Sequence, residues 1–179
     1  MARTTFQGPV RSLAGIYQQG PASVVAITSS TTLSPATYAG TIISVGGSLA
    51  ANVVLTLPSI NVTANPITSG PGQDPSTANN QGVKYTIWVP TTISTSSLKI
   101  GTDGTDKFVG SLLSVDTDSS GAMVGFTAAA SNDFINLNGT TTGGVAGTWI
   151  EIFAIAANKY MVTGVVLGTG TVATPFADS

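Results

Sequence analysis

TWIEIFAIAANKYMVTGVVL, residues 148–167, consists of two apolar runs separated by the link Ala157-Asn158-Lys159. Both runs are rich in β-branched and aromatic residues, which are typical of strands. A link this short returns the chain directly beside itself. The stretch therefore predicts a β-hairpin formed by residues 148–156 and 160–167.

The first strand of this hairpin has apolar residues on both faces. Because side chains alternate between the two faces of a strand, Ile150 and Ile152 share one face. Trp149 and Phe153 share the other, where Glu151 is the only polar residue. A half-exposed strand carries polar residues on its outer face. We therefore predict that both faces are covered and that Trp149 and Phe153 are buried.

Short strand-like runs bounded by Gly, Pro, Asn and Asp recur along the rest of the chain, and helical periodicity is nearly absent. In residues 83–89 the apolar side chains point one way and Lys84, Thr86 and Trp88 point the other. Roughly ten strands at this spacing predict an all-β fold, an antiparallel β-sandwich, jelly-roll-like or barrel-like domain. The expected strands are 23–28, 41–45, 52–57, 83–89, 98–100, 107–115, 122–127, 134–137, 148–156 and 160–167.

Two segments lack a strand pattern. Residues 64–82 contain several prolines and glycines and are predicted to form a long loop. Residues 1–22 contain more scattered apolar side chains than a disordered tail usually has. They are predicted to form an extended N-terminal arm that lies along another surface, with an edge strand as the alternative. Residues 23–179 are then expected to form a single β-domain.

Charged residues make up only 8% of the chain, whereas an ordinary soluble domain has about 25%. No charged side chain lies between Arg11 and Asp74, and the mean hydropathy is +0.34. Few groups remain to keep the outer surface soluble. Much of that surface is therefore expected to be buried against identical copies or against a partner. The composition predicts a component of an assembly.

Several function classes are disfavoured by composition. The chain has no cysteine, which excludes disulfides, thiolate zinc sites and thiol nucleophiles. Its net charge is −2. The six basic residues are dispersed, so no stripe tracks a phosphate backbone and nucleic acid is not an expected partner. No apolar run reaches the ~20 residues of a membrane-spanning helix. Neither a membrane segment nor a secretory signal peptide is expected.

Catalytic and metal-binding residues are also scarce. Without His or Cys, acid–base chemistry would depend on carboxylates, Lys or Tyr. Asp116 and Asp118 begin a calcium-loop-like string, but position twelve of that string is threonine instead of the bidentate glutamate. Asp103 and Asp106 lie in a turn-rich segment that could supply oxygen ligands to calcium. Both pairs are interpreted as turns, and we expect no enzyme activity, no cofactor and no metal.

Aromatic residues within the strands are candidates for contact surfaces. Trp88, Trp149 and Tyr160 could stack on sugar rings, but aromatic side chains in strands are more often core or interface residues. Together with Phe153, they are predicted to be core or interface residues of an assembly.

Three parts of the chain resemble structural proteins of tailed bacteriophages, particularly cyanobacterial and marine phages. The N-terminal stretch TFQGPVRS, residues 5–12, is similar to an F-x-G-P-V-R-S start. VLTLP, residues 54–58, followed by GVKYTI, residues 82–87, resembles a pattern common in phage β-domains. GTWIEI, residues 147–152, with NKYMVTG, residues 158–164, resembles their terminal hairpin. The patterns span most of the chain, although the loop at 64–82 departs from the compact version.

The resemblance implies a head decoration, or cement, protein, expected as a homotrimer on the outer surface of the capsid of the virion, with the major capsid protein as its partner. The arm is then the expected capsid anchor, because its apolar side chains need a surface and its two arginines can pair with carboxylates. The alternative is a trimeric fibre or adhesion β-module that binds host-surface glycans. The expected anchoring residues are Arg3, Phe6, Val10, Arg11, Leu13, Ile16 and Tyr17.

Overall fold

All ten strands predicted from the sequence are present in the structure, a computed structural model that describes residues 24–63, 79–118 and 121–178. The all-β class is confirmed. The sequence interpretation missed two strands of two residues each and one helical turn, α1 (Pro35–Tyr38). In chain order the strands are β1 (Val24–Ala26), β2 (Thr31–Thr32), β3 (Ile42–Ser44), β4 (Val53–Thr56), β5 (Lys84–Trp88), β6 (Leu98–Gly101), β7 (Lys107–Asp116), β8 (Met123–Thr127), β9 (Phe134–Leu137), β10 (Trp149–Ala156), β11 (Lys159–Gly168) and β12 (Phe176–Ala177).

The strands form two sheets. The larger has seven strands in the order β1-β3-β5-β10-β11-β7-β8, and the smaller has five in the order β12-β9-β6-β4-β2. Their inner faces share one hydrophobic core, so the described residues form a β-sandwich. The core side chains with no exposed surface include Tyr85, Ile87, Phe108, Leu112, Ile150, Ile152 and Tyr160 from the larger sheet, and Leu55, Leu98, Ile100, Ile135 and Leu137 from the smaller.

The first six strands wind around this core as a coil. The chain alternates between the sheets from β1 to β6, so that every second strand enters the same sheet. The strands β1, β3 and β5 are parallel neighbours, and so are β2, β4 and β6. The expectation of purely antiparallel pairing is therefore wrong, and both sheets are mixed. Hydrophobic alternation shows which face of a strand is buried, but it does not show which strand lies beside it.

The hairpin predicted from residues 148–167 is confirmed. The strands β10 and β11 are antiparallel partners, and Asn158 in the connection adopts a φ of 60°, a conformation that asparagine tolerates better than most residues. On the far side of the hairpin, β11 pairs in parallel with β7. The hairpin therefore lies in the middle of the larger sheet, where both of its edges are paired.

None of the helices in the described residues is long and apolar enough to cross a membrane. The predicted N-terminal arm, residues 1–22, and residues 64–78 of the predicted loop lie outside the described residues.

Two buried tyrosines in the core are expected to respond in opposite ways to removal of their hydroxyl groups. The Tyr160 hydroxyl donates a hydrogen bond of 2.6 Å to the Pro58 carbonyl. The buried Tyr85 hydroxyl has no hydrogen-bond partner among the described residues, and burial raises the pKa of both tyrosines. We expect Tyr160→Phe to lower the free energy of unfolding by about 1 kcal/mol, because it removes the part-buried hydrogen bond to the Pro58 carbonyl.

Tyr85→Phe is expected to raise the free energy of unfolding by about 1 kcal/mol, because it removes a buried donor that is not hydrogen-bonded. Urea denaturation of the two variants beside the wild type measures both values. Equal losses in the two variants would contradict this account of the core.

Candidate functional site

The outer face of the seven-stranded sheet carries most of the exposed large hydrophobic side chains of the described residues. A row of side chains crosses its four central strands in register. Trp88 of β5 is the cross-strand partner of Trp149 on β10. Trp149 is in turn the partner of Val165 on β11, and Val165 is the partner of Leu113 on β7. Partners in a sheet point to the same side, so the four side chains form one continuous stripe.

Two further apolar rows lie on the same side of the sheet, and the first is separated from the stripe by a polar row in which Glu151 is the partner of Thr86 and Thr163. On one side of the stripe Phe153 pairs with Met161, which pairs with Val109. On the other side Leu167 pairs with Val115, which pairs with Met123 on β8. We call the three rows together the apolar face, which consists of Trp88, Val109, Leu113, Val115, Met123, Trp149, Phe153, Met161, Val165 and Leu167.

The side chains of the apolar face are accessible to solvent. Met123 is 69% exposed, Leu113 40% and Trp149 36%. Among the described residues nine large hydrophobic side chains are exposed, and five of these belong to the apolar face. A sixth, Val24, lies on the same side of the sheet through its partner Ile42. Exposed hydrophobic surface is therefore concentrated on one side of the sandwich.

The described strands carry four charged side chains on this side of the sheet, and three of them are in ion pairs. Glu151 in the polar row and Lys84, the cross-strand partner of Phe153, form an ion pair of 3.1 Å. Lys107, at the start of β7, pairs with the buried carboxylate of Asp133 at 2.8 Å. The fourth, Lys159, is exposed at the start of β11. An exposed ion pair contributes only about 0–1 kcal/mol to stability, so the main effect of these pairs is to lower the net charge beside the apolar rows.

The four aromatic residues singled out in the sequence do not share one environment. Tyr160 is fully buried in the core. Trp88, Trp149 and Phe153 lie on the outer side of the sheet, Trp88 and Phe153 partly buried and Trp149 exposed. The prediction that Trp149 and Phe153 are buried is wrong for Trp149, and Phe153 is only partly buried, because none of the described residues forms a second layer over the side opposite Ile150 and Ile152. The sequence pattern indicated that the outward positions are apolar, but not whether another layer packs on them.

Seven further positions on the apolar face were not recognised from the sequence: Val109, Leu113, Val115, Met123, Met161, Val165 and Leu167. The pattern that could have identified them is the same two-residue alternation used for β10. In β11, Met161, Val165 and Leu167 occupy the outward positions that an exposed strand fills with polar residues. The residues expected to anchor the protein to a capsid, from Arg3 to Tyr17, lie outside the described residues.

The two aspartate pairs considered for calcium are turn elements in the structure. The Asp116 carboxylate accepts a hydrogen bond from the Asp118 backbone N–H at 3.0 Å. The Asp118 carboxylate accepts one from the Gly170 N–H at 2.6 Å. Within the described ranges no group of three or more carboxylate, histidine or cysteine side chains is arranged to hold a metal ion.

The other pair, Asp103 and Asp106, supports the base of the long loop. Asp103 accepts hydrogen bonds from the Ser59 hydroxyl at 2.6 Å and from the backbone N–H groups of Thr105 and Asp106 at 2.9 Å each. The buried Asp106 accepts one from the Ile60 N–H at 2.9 Å. The two carboxylates therefore hold the strand end that leads into the loop.

The far end of the same loop is held by Asn80, which is 2% exposed. Its side chain accepts a hydrogen bond from the Asn61 N–H at 2.8 Å and donates one to the Ser59 carbonyl at 2.9 Å. These bonds join the residues that precede residues 64–78 to a residue that follows them. The loop therefore starts and ends at a fixed point at the edge of the sandwich.

The aspartates at the loop base predict a defined pH dependence of stability. Burial alone favours a higher pKa for Asp103, but the hydrogen bonds from Asp106, Ser59 and Thr105 outweigh it and lower the pKa. Burial raises the pKa of Asp106, and the nearby charge of Asp103 adds to the rise. A lowered pKa in the folded state contributes stability above the unfolded pKa of about 4, and this stability is lost as the pH falls.

Asp103→Asn is therefore expected to lower the free energy of unfolding at pH 7. It is also expected to reduce the difference in the free energy of unfolding between pH 7 and pH 3. Asp106→Asn is the matched control. Its expected effect on the pH dependence of stability has the opposite sign, because the raised pKa of Asp106 lowers the stability of the folded protein as the pH rises above about 4. Urea denaturation at pH 3, 5 and 7 measures both. The same pH profile for the two variants would contradict the assignment.

Comparisons of the chain with models of known protein families, with curated proteins and with solved structures find no match.

Proposed function

We propose that this protein is a structural virion protein of a tailed bacteriophage, a head decoration protein that binds the outer surface of the capsid as an oligomer and stabilises the lattice. Its partner is the major capsid protein, and the expected oligomer is a homotrimer. The protein needs no cofactor and catalyses no reaction in this role.

The observation that supports this function best is the apolar face, which spans five of the seven strands of the larger sheet in a chain with 8% charged residues. A protein that works as a separate molecule rarely exposes so many apolar side chains on one side. A protein that works as part of an assembly covers such a surface permanently. The resemblance of residues 5–12, 54–58 and 147–164 to phage structural proteins supplies the kind of assembly.

In this function each oligomer contacts neighbouring capsid subunits and adds binding free energy to the lattice. Stable assembly interfaces bury about 2,000 Å² or more. Several copies joined in one oligomer bind with avidity, since the first contact raises the effective concentration of the others. Many such oligomers together strengthen the lattice against the pressure of packaged DNA without a change in its geometry.

One observation favours the alternative, an adhesion module that binds host-surface glycans. Trp88 and Trp149 are cross-strand partners on a flat, accessible sheet, and adjacent aromatic rings provide a platform on which sugar rings stack. Beyond Trp149 the stripe continues with the apolar residues Val165 and Leu113, which favours a protein partner over a sugar.

Sedimentation with phage heads that lack the protein tests the proposed function. We expect purified protein to sediment with the heads, to saturate at a fixed ratio to the major capsid protein, and to raise the temperature at which the heads release DNA. Host cells are the matched control. Binding to cells without binding to heads would overturn the decoration function in favour of the adhesion module.

A further inference from the structure

On the basis of the proposed function, which makes the protein an oligomer, we propose that the apolar face is the surface that joins the copies. Each copy covers the stripe from Trp88 to Leu113 of its neighbour with its own apolar face. In the expected trimer the three faces surround the symmetry axis and form a closed apolar centre.

The apolar face has a size that approaches that of a stable contact. It spans the five strands from β5 to β8, about 24 Å at ~4.8 Å per strand, and about 20–27 Å along the strands, which gives a footprint of roughly 500–600 Å² with the polar row included. Stable interfaces bury about 800 Å² per partner. Projecting Trp and Met side chains increase the accessible area above the flat footprint, so this face supplies most of the area that an interface needs.

The distribution of charge favours a second copy as the occupant. The Lys84–Glu151 pair is closed within one chain, so the face does not select a strongly acidic or strongly basic partner. A second copy presents the same closed ion pair. The central rows of the two copies therefore meet without an uncompensated charge, and the exposed Lys159 lies outside these rows at the start of β11.

The outer face of the smaller sheet is more polar than the apolar face of the larger sheet. There Val54 of β4 is the partner of Lys99 on β6, and Lys99 is the partner of Asn136 on β9. Thr56 lies on the same side, next to Thr32 at the edge. Phe134 also lies on this side, where its ring is partly buried beside Gly101. The strands of the smaller sheet thus expose no large hydrophobic side chain, whereas those of the larger sheet expose several.

The experiment compares two Val→Glu variants, one on each outer side of the sandwich. Val165→Glu places a carboxylate in the central row of the apolar face, between Trp149 and Leu113. Val54→Glu places the same group beside Lys99 on the polar side and is the matched control. Static light scattering after size exclusion measures the mass, and circular dichroism verifies that both variants are folded.

We expect the wild type and Val54→Glu at micromolar concentration to have the mass of an oligomer of the 17.9 kDa chain. Val165→Glu is expected to weaken association about 100-fold or more, because a buried carboxylate without a partner is costly, and to elute as the monomer. Met161→Glu, in the neighbouring row, is a second variant that keeps the test decisive if Val165→Glu does not fold.

Tryptophan fluorescence gives an independent measurement, since both tryptophans of the chain lie on this face. Emission of the folded Val165→Glu monomer is expected to shift to longer wavelength relative to the oligomer. A monomeric wild type, or an oligomer that survives both apolar-face variants, would overturn the proposal. A monomeric wild type whose emission responds to host glycans would do the same in favour of the adhesion module.

Failure of this assignment is distinguishable from failure of the proposed function. Light scattering requires no heads, so an oligomer that dissociates in Val165→Glu but never binds heads would retain the interface and exclude decoration. Binding of heads by a wild type whose mass is unaffected by Val165→Glu would retain decoration and exclude the interface.

Discussion

Gly139→Ala is expected to lower the free energy of unfolding by about 2–5 kcal/mol, the sum of a left-handed backbone penalty of about 1–2 kcal/mol and an overpacking cost of about 1–3 kcal/mol. Gly139 adopts a φ of 77°, and a Cβ atom there would lie 1.9 Å from the Ile93 carbonyl oxygen. The opposing atom belongs to the backbone, so neither side can move cheaply. The Gly144 carbonyl, in the same loop, accepts a hydrogen bond from the Ile93 N–H at 2.9 Å.

Gly40→Ala is the matched control for this substitution. Gly40 has nearly the same φ, 72°, but a Cβ atom there would have no neighbour within 4 Å. Its expected cost is therefore only the backbone part, about 1–2 kcal/mol. Urea denaturation of both variants separates the two contributions. Equal losses would show that the close approach of Gly139 to Ile93 does not determine the stability of this part of the fold.

Removal of residues 1–20 is expected to abolish binding to undecorated heads while the β-domain stays folded and oligomeric. The described residues from Ile27 to Phe176 supply a shared hydrophobic core between the two sheets. Ordering an arm costs about 1–2 kcal/mol per residue in backbone entropy. Docking therefore requires several anchors at once, which Phe6, Ile16 and their apolar neighbours supply together.

Three measurements check this prediction: circular dichroism for folding, light scattering for mass, and sedimentation with heads for binding. A protein with Arg3 and Arg11 both changed to alanine is the graded control, since it keeps the apolar anchors and loses only the charged contacts. Full decoration of heads by the truncated protein would contradict the anchoring role. Unfolding of the truncated protein would show instead that the segment is a strand of the core.

The strand content was predictable from the sequence because burial imposes a period of two wherever a strand has one covered face. In β5 the alternation correctly separated Tyr85 and Ile87 from Lys84 and Trp88. The two missed strands, β2 and β12, have two residues each, too few to show any period. These two strands depend on pairing with β4 and β9 and not on a pattern in their own residues.

Strand pairing was not predictable in the same way. The hairpin of β10 and β11 was recognised because its connection is local, and the residues of the link carry the turn preference. The parallel neighbours β1, β3 and β5 are joined through the opposite sheet, so no local turn records their pairing. A coil and an antiparallel sandwich give the same pattern of buried positions along each strand.

The candidate site was predictable in part. Apolar residues on both faces of β10 correctly indicated that the outward positions of this strand are apolar. The full apolar face needed the sheet order, because Leu113 of β7 and Val165 of β11 are distant in sequence and become neighbours only through a parallel pair. The presence of the Lys84–Glu151 ion pair likewise follows from the register of β5 and β10.

The most direct test of the proposed function is electron cryomicroscopy of undecorated heads incubated with the full-length protein. The account predicts additional density at symmetry-related positions on the outer surface of the capsid, of a size that fits an oligomer of the sandwich, with the apolar faces turned toward one another. Heads that show no added density after incubation with saturating protein would contradict it.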